Sequence, residues 1–188
     1  TFTVSRLIER LAKARGLEVI ETPVGFKYIV HEMLQTDVLI GGEESGGIGV
    51  KGHLPERDGI ANSLLMLEAM AISGKPLADM FRSLEQEVGW QHAFDRLDLH
   101  LPHSHKEAVM NMLKDPPKTF IDRHVESVEC RDGIKLNLSD QAWIMFRASG
   151  TEPLLRIYCE ASDQASVQKL LSGAQEFVDQ IKEVKSNV

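Results

Sequence analysis

The run FRASGTEPLLRIY, Phe146 to Tyr158, places an arginine, two hydroxyls and a glycine in one tight loop between two apolar segments. Arg147 offers a planar fork of N–H donors that matches phosphate oxygens two at a time. Ser149 and Thr151 add hydroxyl donors. Gly150 lets the backbone approach a ligand or turn with positive φ, and successive N–H groups in such a turn form a nest for an anion. The loop has the parts of a phosphate clamp. The same residues also suit a plain β-turn carrying a surface arginine.

A second loop, GGEESGGIG from Gly41 to Gly49, holds five glycines, two carboxylates and a hydroxyl. Adjacent Glu43 and Glu44 disfavour a phosphate. Carboxylates suit sugar hydroxyls, which donate hydrogen bonds. They also suit metals, but with no His or third carboxylate nearby that signal is weak. A flexible glycine loop with solvated acids fits the same letters. In TPVGFKYI, Lys27 follows a Pro-x-Gly turn at a strand-to-helix junction, where a lysine either reaches a ligand at the helix N-terminus or stays in solvent. His100, His103 and His105 in HLPHSHKE are explained by a strand-to-helix turn rather than by a metal, and no metal site is expected in this chain.

These loops need elements to hold them. Apolar spacing predicts helices over residues 3–15, GFKYIVHEMLQ, DGIANSLLMLEAMAIS with Asp58 as N-cap, and PLADMFRSLEQEVG. LEVIETP and DVLIGG read as strands, the second ending at the glycine loop. This order implies an α/β domain of three layers around a mostly parallel mixed sheet. It opens on a helix, so its first strand is expected to be missing, and the lack of an initiator Met suggests an excised piece. Further on, AFDRLDLHL reads as a strand. SHKEAVMNMLK reads as a helix with a Ser104–Glu107 capping box. HVESVECRD, GIKLNL, AWIMFRA and LLRIYCEA are four more strands, with Asp132-Gly133 as a hairpin turn between the first two. A last helix covers 163–184. This second half reads as an α+β domain with an antiparallel sheet. The domains are expected at 1–92 and 93–188.

Composition bounds the function. The 188 residues, 43% hydrophobic and 26% charged, suit one or two globular domains. A net charge of -7 makes a general nucleic-acid binder a poor fit. No apolar run reaches the roughly 20 residues that span a bilayer, so no membrane partner is expected. Cys130 and Cys159 lack CxxC spacing and read as free thiols of a cytoplasmic protein.

TPVGFKYI, GGEESGG, PERDG and FRASGTEPLLRIYCEA, in this order, resemble the C-terminal half of the α-D-phosphohexomutases. The resemblance implies a four-domain enzyme that interconverts hexose 1-phosphates and hexose 6-phosphates. It does so through a phosphoserine, Mg²⁺ and a glucose 1,6-bisphosphate-type intermediate. This chain would supply the third and fourth domains. By the same resemblance Glu43 and Ser45 hold sugar hydroxyls, Lys27 reaches the reacting centre, and Arg147, Ser149, Gly150 and Thr151 hold the substrate phosphate. Arg156 is a further candidate. Some relatives have His where this chain has Gly47, so an acid–base role for that His does not transfer. The phosphoserine loop and the aspartate-rich metal loop are not among these residues. The chain is therefore expected to bind a phosphorylated hexose, to need the missing N-terminal domains as its partners, and to be inactive alone. A phosphoglucomutase or phosphomannomutase is expected, with phosphoglucosamine mutase or a non-catalytic phosphosugar-binding module as alternatives.

Overall fold

A computed structural model describes the backbone of residues 1–186 and the side chains of residues 1–181. Two compact units meet between Trp90 and Gln91.

The first unit contains α1 (Arg6–Ala14), α2 (Phe26–Gln35), β1 (Ile40–Gly42), β2 (Ile48–Val50), α3 (Gly59–Ser73) and α4 (Leu77–Val88). Ser5 caps α1 through Leu7 N–H at 3.0 Å. Asp58 caps α3, accepting from Ile60 N–H at 3.0 Å and Ala61 N–H at 2.9 Å. The Ala61 N–H and the His53 ring beside it hold the Asp58 carboxyl below the usual carboxylate range. Helix α1 lies against α4, tied by a two-pronged Arg15–Glu87 pair at 3.1 and 2.9 Å.

The strands of this unit differ from expectation. Its only ladder among the described residues is antiparallel, β1 with β2, pairing Ile40 with Val50 and Gly42 with Ile48. The glycine-rich turn between them lets the chain double back at once, so β1 finds its partner next in sequence. Residues 17–23 form no ladder, and Leu17, Val19 and Ile20 are about half exposed, at 50%, 44% and 46%. The apolar run is present, but no neighbouring strand among the described residues pairs with it. The mostly parallel sheet is therefore not formed here.

The second unit has the expected antiparallel sheet. Its strands are β3 (Ala93–His100), β4 (Thr119–Phe120), β5 (Arg123–Glu129), β6 (Ile134–Leu138), β7 (Trp143–Ala148) and β8 (Leu154–Ala161), in the order β3-β8-β7-β6-β5-β4. The β5–β6 hairpin turns at Asp132-Gly133, where Gly133 has φ 139°, a value that side chains resist. Helices α5 (His103–Leu113) and α6 (Gln164–Ser186) pack on one face. Val109, Leu113, Val167, Leu170 and Val178 meet Ile144, Phe146, Leu155 and Ile157 there, all fully buried. Strand alternation puts Met145, Arg147, Arg156 and Tyr158 on the opposite face. The Ser104–Glu107 capping box does not form: Pro102 is the N-cap, and Glu107 pairs with His103 at 3.3 Å. The proline presets the backbone angle for entry, so the helix starts one residue before Ser104.

Candidate functional site

The first unit carries the glycine loop on the β1–β2 hairpin. Glu43 N–H donates to Gly47 O at 2.9 Å and Gly46 N–H to Glu43 O at 3.1 Å, closing a tight turn with Ser45 exposed at its tip. Helix α2 lies against the hairpin. A Cβ at Gly41 would run into Ile29, and one at Gly49 would sit 3.0 Å from Met33 Sδ and 3.2 Å from Phe26. These two glycines are required by close approach. Lys27 is exposed on the first turn of α2, beside Phe26, with Nζ 4.9 Å from the Tyr28 ring centre.

The two carboxylates of this loop separate. Glu44 accepts from the Thr3 hydroxyl at 2.6 Å and anchors the turn to the segment before α1. Glu43, whose side chain is only 9% exposed, faces Arg57 Nη1 at 3.5 Å. Arg57 also lies over the Phe26 ring at 5.2 Å. A Cβ at position 47 would come within 2.6 Å of Arg57 Cδ, so the arginine stem fills the space a side chain there would take. Glu43 is thus a held carboxylate that can accept hydroxyl hydrogen bonds, and Ser45 is an open hydroxyl next to it.

The second unit carries the β7–β8 turn. Arg147 and Arg156 are direct partners across the ladder, and Asp98 is opposite Arg156 on the next strand. Two like charges face to face oppose pairing unless anions sit between them. Carboxylates supply part of that. Arg147 Nε donates to Asp132 Oδ2 at 3.1 Å, and Arg156 Nη2 donates to Glu152 Oε2 at 2.6 Å. Asp132 engages Arg147 through Nε, the atom next to the fork, which steadies the side chain in place.

The turn itself is well tied. Ser149 N–H donates to Leu154 O at 2.9 Å, and Ser149 Oγ accepts from Glu152 N–H at 3.1 Å. The Ser149 hydroxyl is buried in this role, whereas Thr151 is exposed. Of the two uses open to Gly150, the turn does not take positive φ; the Ser149–Glu152 bond closes it without one. A Cβ on Gly150 would meet nothing within 4 Å, so open space lies above it. From beneath, Lys106 on α5 donates to Ser149 O at 2.8 Å and to Glu152 O at 2.6 Å.

Residues 1–88 match a family profile described as "Phosphoglucomutase/phosphomannomutase, alpha/beta/alpha domain III", and residues 107–176 match "Phosphoglucomutase/phosphomannomutase, C-terminal domain". The chain belongs to the phosphoglucomutase/phosphomannomutase family. It is 29% identical over 171 residues to a phosphoglucomutase/phosphomannomutase of Thermococcus kodakarensis, covering 91% of this chain and 35% of that protein. It is 32% identical over 166 residues to a phosphoglucosamine mutase of Desulforamulus reducens, covering 88% of this chain and 33% of that one. A crystal structure from Thermus thermophilus, assigned to a phosphomannomutase, superposes with TM-score 0.78 at 41% identity, over 95% of this chain and 35% of that one. The chain therefore spans about a third of the length of these relatives.

This family chain holds its loops with residues that its motifs do not announce. Arg57 lies in PERDG, but nothing local marks it as packing on Gly47. Asp132 reads only as a turn residue until β6 and β7 pair and bring it to Arg147. Lys106 sits 43 residues before Ser149 and has no sequence signal at all.

Proposed function

We propose that this chain is the sugar- and phosphate-binding part of a phosphohexomutase that interconverts hexose 1-phosphates and hexose 6-phosphates. The observation that carries this reading is the facing pair Arg147 and Arg156 beside the Ser149–Thr151 turn. Arg147 keeps its terminal fork for a phosphate while Asp132 holds the side chain at Nε. Ser149 shapes the turn, and Gly150 and Thr151 present donors at its open side. The Glu43 carboxylate and the Ser45 hydroxyl would receive sugar hydroxyls, with Lys27 supplying positive charge where charge develops during transfer.

In the whole enzyme, a phosphoserine would pass its phosphoryl group to the free hydroxyl of a hexose monophosphate. The resulting bisphosphate would turn over, and its other phosphate would return to serine. A clamp that reads a phosphate and not ring stereochemistry serves both poses, and catalysis rests on positioning and electrostatics. Among the described residues no group of three His, Cys, Asp or Glu could hold a metal. The Mg²⁺ proposed for the whole enzyme therefore has no seat among them, and none of the roles above uses it. The remaining two thirds of the enzyme would supply the serine. They would also cover the apolar side chains exposed in the first unit, such as Ile60, Leu64 and Ile72 on α3 at 80%, 62% and 81%. No described helix is long and apolar enough to cross a membrane. The free thiols of Cys130 and Cys159 support a cytoplasmic setting.

The test is a titration of the chain with glucose 1-phosphate, inorganic phosphate and glucose, followed by amide NMR. The two phosphates are expected to move the Gly150 and Thr151 signals, and Arg147→Ala to shift that response to at least about tenfold higher concentration; signals that respond to neither phosphate would refute the reading. A glucosamine phosphate is the second candidate substrate, because several relatives of similar identity are phosphoglucosamine mutases. A panel of glucose, mannose and glucosamine 1-phosphates on the longer enzyme separates them.

A further inference from the structure

Lys106 is a buried cation, 4% exposed, on the face of α5 that also buries Val109 and Leu113. Burying an ammonium is costly unless a counter-charge or full hydrogen bonding compensates it. Among the described residues Lys106 pairs with no carboxylate. Two carbonyl oxygens, those of Ser149 and Glu152, take two of its three protons. Both belong to the turn that carries Gly150 and Thr151. Among the described residues, the charge of Lys106 is thus solvated by the turn and paired with no counter-charge.

The geometry of the peptide unit gives this contact a consequence on the far side. In a planar trans peptide, C=O and N–H point in opposite directions. Drawing Ser149 O inward to Lys106 therefore aims Gly150 N–H outward, into the open space above the turn. Glu152 O belongs to the peptide before Pro153, which has no N–H to misdirect. Glu152 N–H is already taken by Ser149 Oγ. Gly150 N–H and Thr151 N–H have no protein partner among the described residues, so both stay open to an anion.

We propose that Lys106 is a positioning residue for phosphate recognition, an inference that rests on the reading of the Ser149–Thr151 turn as the phosphate site. It pins the two carbonyls of the turn inward, so that Gly150 N–H faces the phosphate beside Arg147. Its positive charge, set behind the turn and met there by backbone carbonyls, favours the dianionic form of that phosphate.

The experiment compares the wild-type chain with Lys106→Met, Lys106→Gln and Arg147→Ala by NMR titration with inorganic phosphate. Lys106→Met is expected to weaken binding tenfold or more and to shift the Gly150 amide even without ligand. A phosphate monoester gains its second charge near pH 6 and inorganic phosphate nearer neutrality, so the loss should be larger at about pH 8 than at about pH 5. A general loosening of the fold would not show that dependence. Lys106→Gln keeps a donor without the charge, and is expected to restore the Gly150 shift but not the affinity. In the wild type the Lys106 ammonium signal should move together with Gly150 on phosphate addition, a measurement that survives if the variants fail to fold. If Arg147→Ala loses binding while Lys106→Met keeps it at both pH values, the proposal for Lys106 falls and the phosphate site stands. If neither variant changes binding, the reading of the turn falls with it.

Discussion

Arg147 is the residue whose chemistry is hardest to replace. A charged hydrogen bond is worth about 1.5–3 kcal/mol, so Arg147→Ala should weaken hexose phosphate binding by about ten- to a hundredfold in calorimetric titrations. Arg147→Lys should recover only part of this, because an ammonium keeps the charge but not the two-pronged fork. The cysteines form a contrasting pair. Cys130 is exposed, whereas Cys159 is fully buried in the sheet. Burial pushes the Cys159 thiol up to about 12. A thiol reagent at neutral pH should therefore label one cysteine in the folded chain and two in urea, as counted by mass spectrometry.

At the scale of elements, the β1–β2 hairpin depends on glycine for room. Gly49→Leu would drive its side chain into Met33 and Phe26. It should cost about 1–3 kcal/mol in urea denaturation. Gly47→Ala acts differently, because what its Cβ meets first is the flexible stem of Arg57. That variant should change stability by no more than about 0.5 kcal/mol. It should move Arg57 off the Phe26 ring, a displacement visible as a shift of the Arg57 Nε–H signal. Unchanged Arg57 shifts would show that the arginine does not pack on position 47.

Across the whole molecule, the two units are unequal in how they bury their apolar side chains. The second has a continuous core between its sheet and two helices, whereas the first exposes Ile60, Leu64, Leu67 and Ile72 along one helix. The chain by itself should bind a hydrophobic dye more strongly than the longer enzyme does; equal binding would argue that this face stays open. The core also gives stability a pH dependence. The Cys159 thiol stays protonated to about 12 when folded, while its ordinary value is 9.0. Its contribution is complete below 9.0 and declines as pH rises from there towards about 12. Thermal melts of wild type and Cys159→Ala should therefore diverge less at about pH 11 than at about pH 8.

The sequence by itself determined what is local. Helix positions followed from apolar spacing, the α3 start from Asp58, the β5–β6 hairpin from Asp132-Gly133, and both loops from the residues that compose them. Each of these depends on neighbours a few positions apart. Tertiary structure decided what becomes of residues 17–23, an apolar run that no strand among the described residues pairs with. It also decided the contacts of Glu43 with Arg57, Arg147 with Asp132, and Lys106 with Ser149. Those partners lie far apart along the chain, Lys106 by 43 residues. A buried lysine beneath a loop leaves no periodic or compositional mark, because its charge is satisfied by backbone carbonyls that every residue possesses.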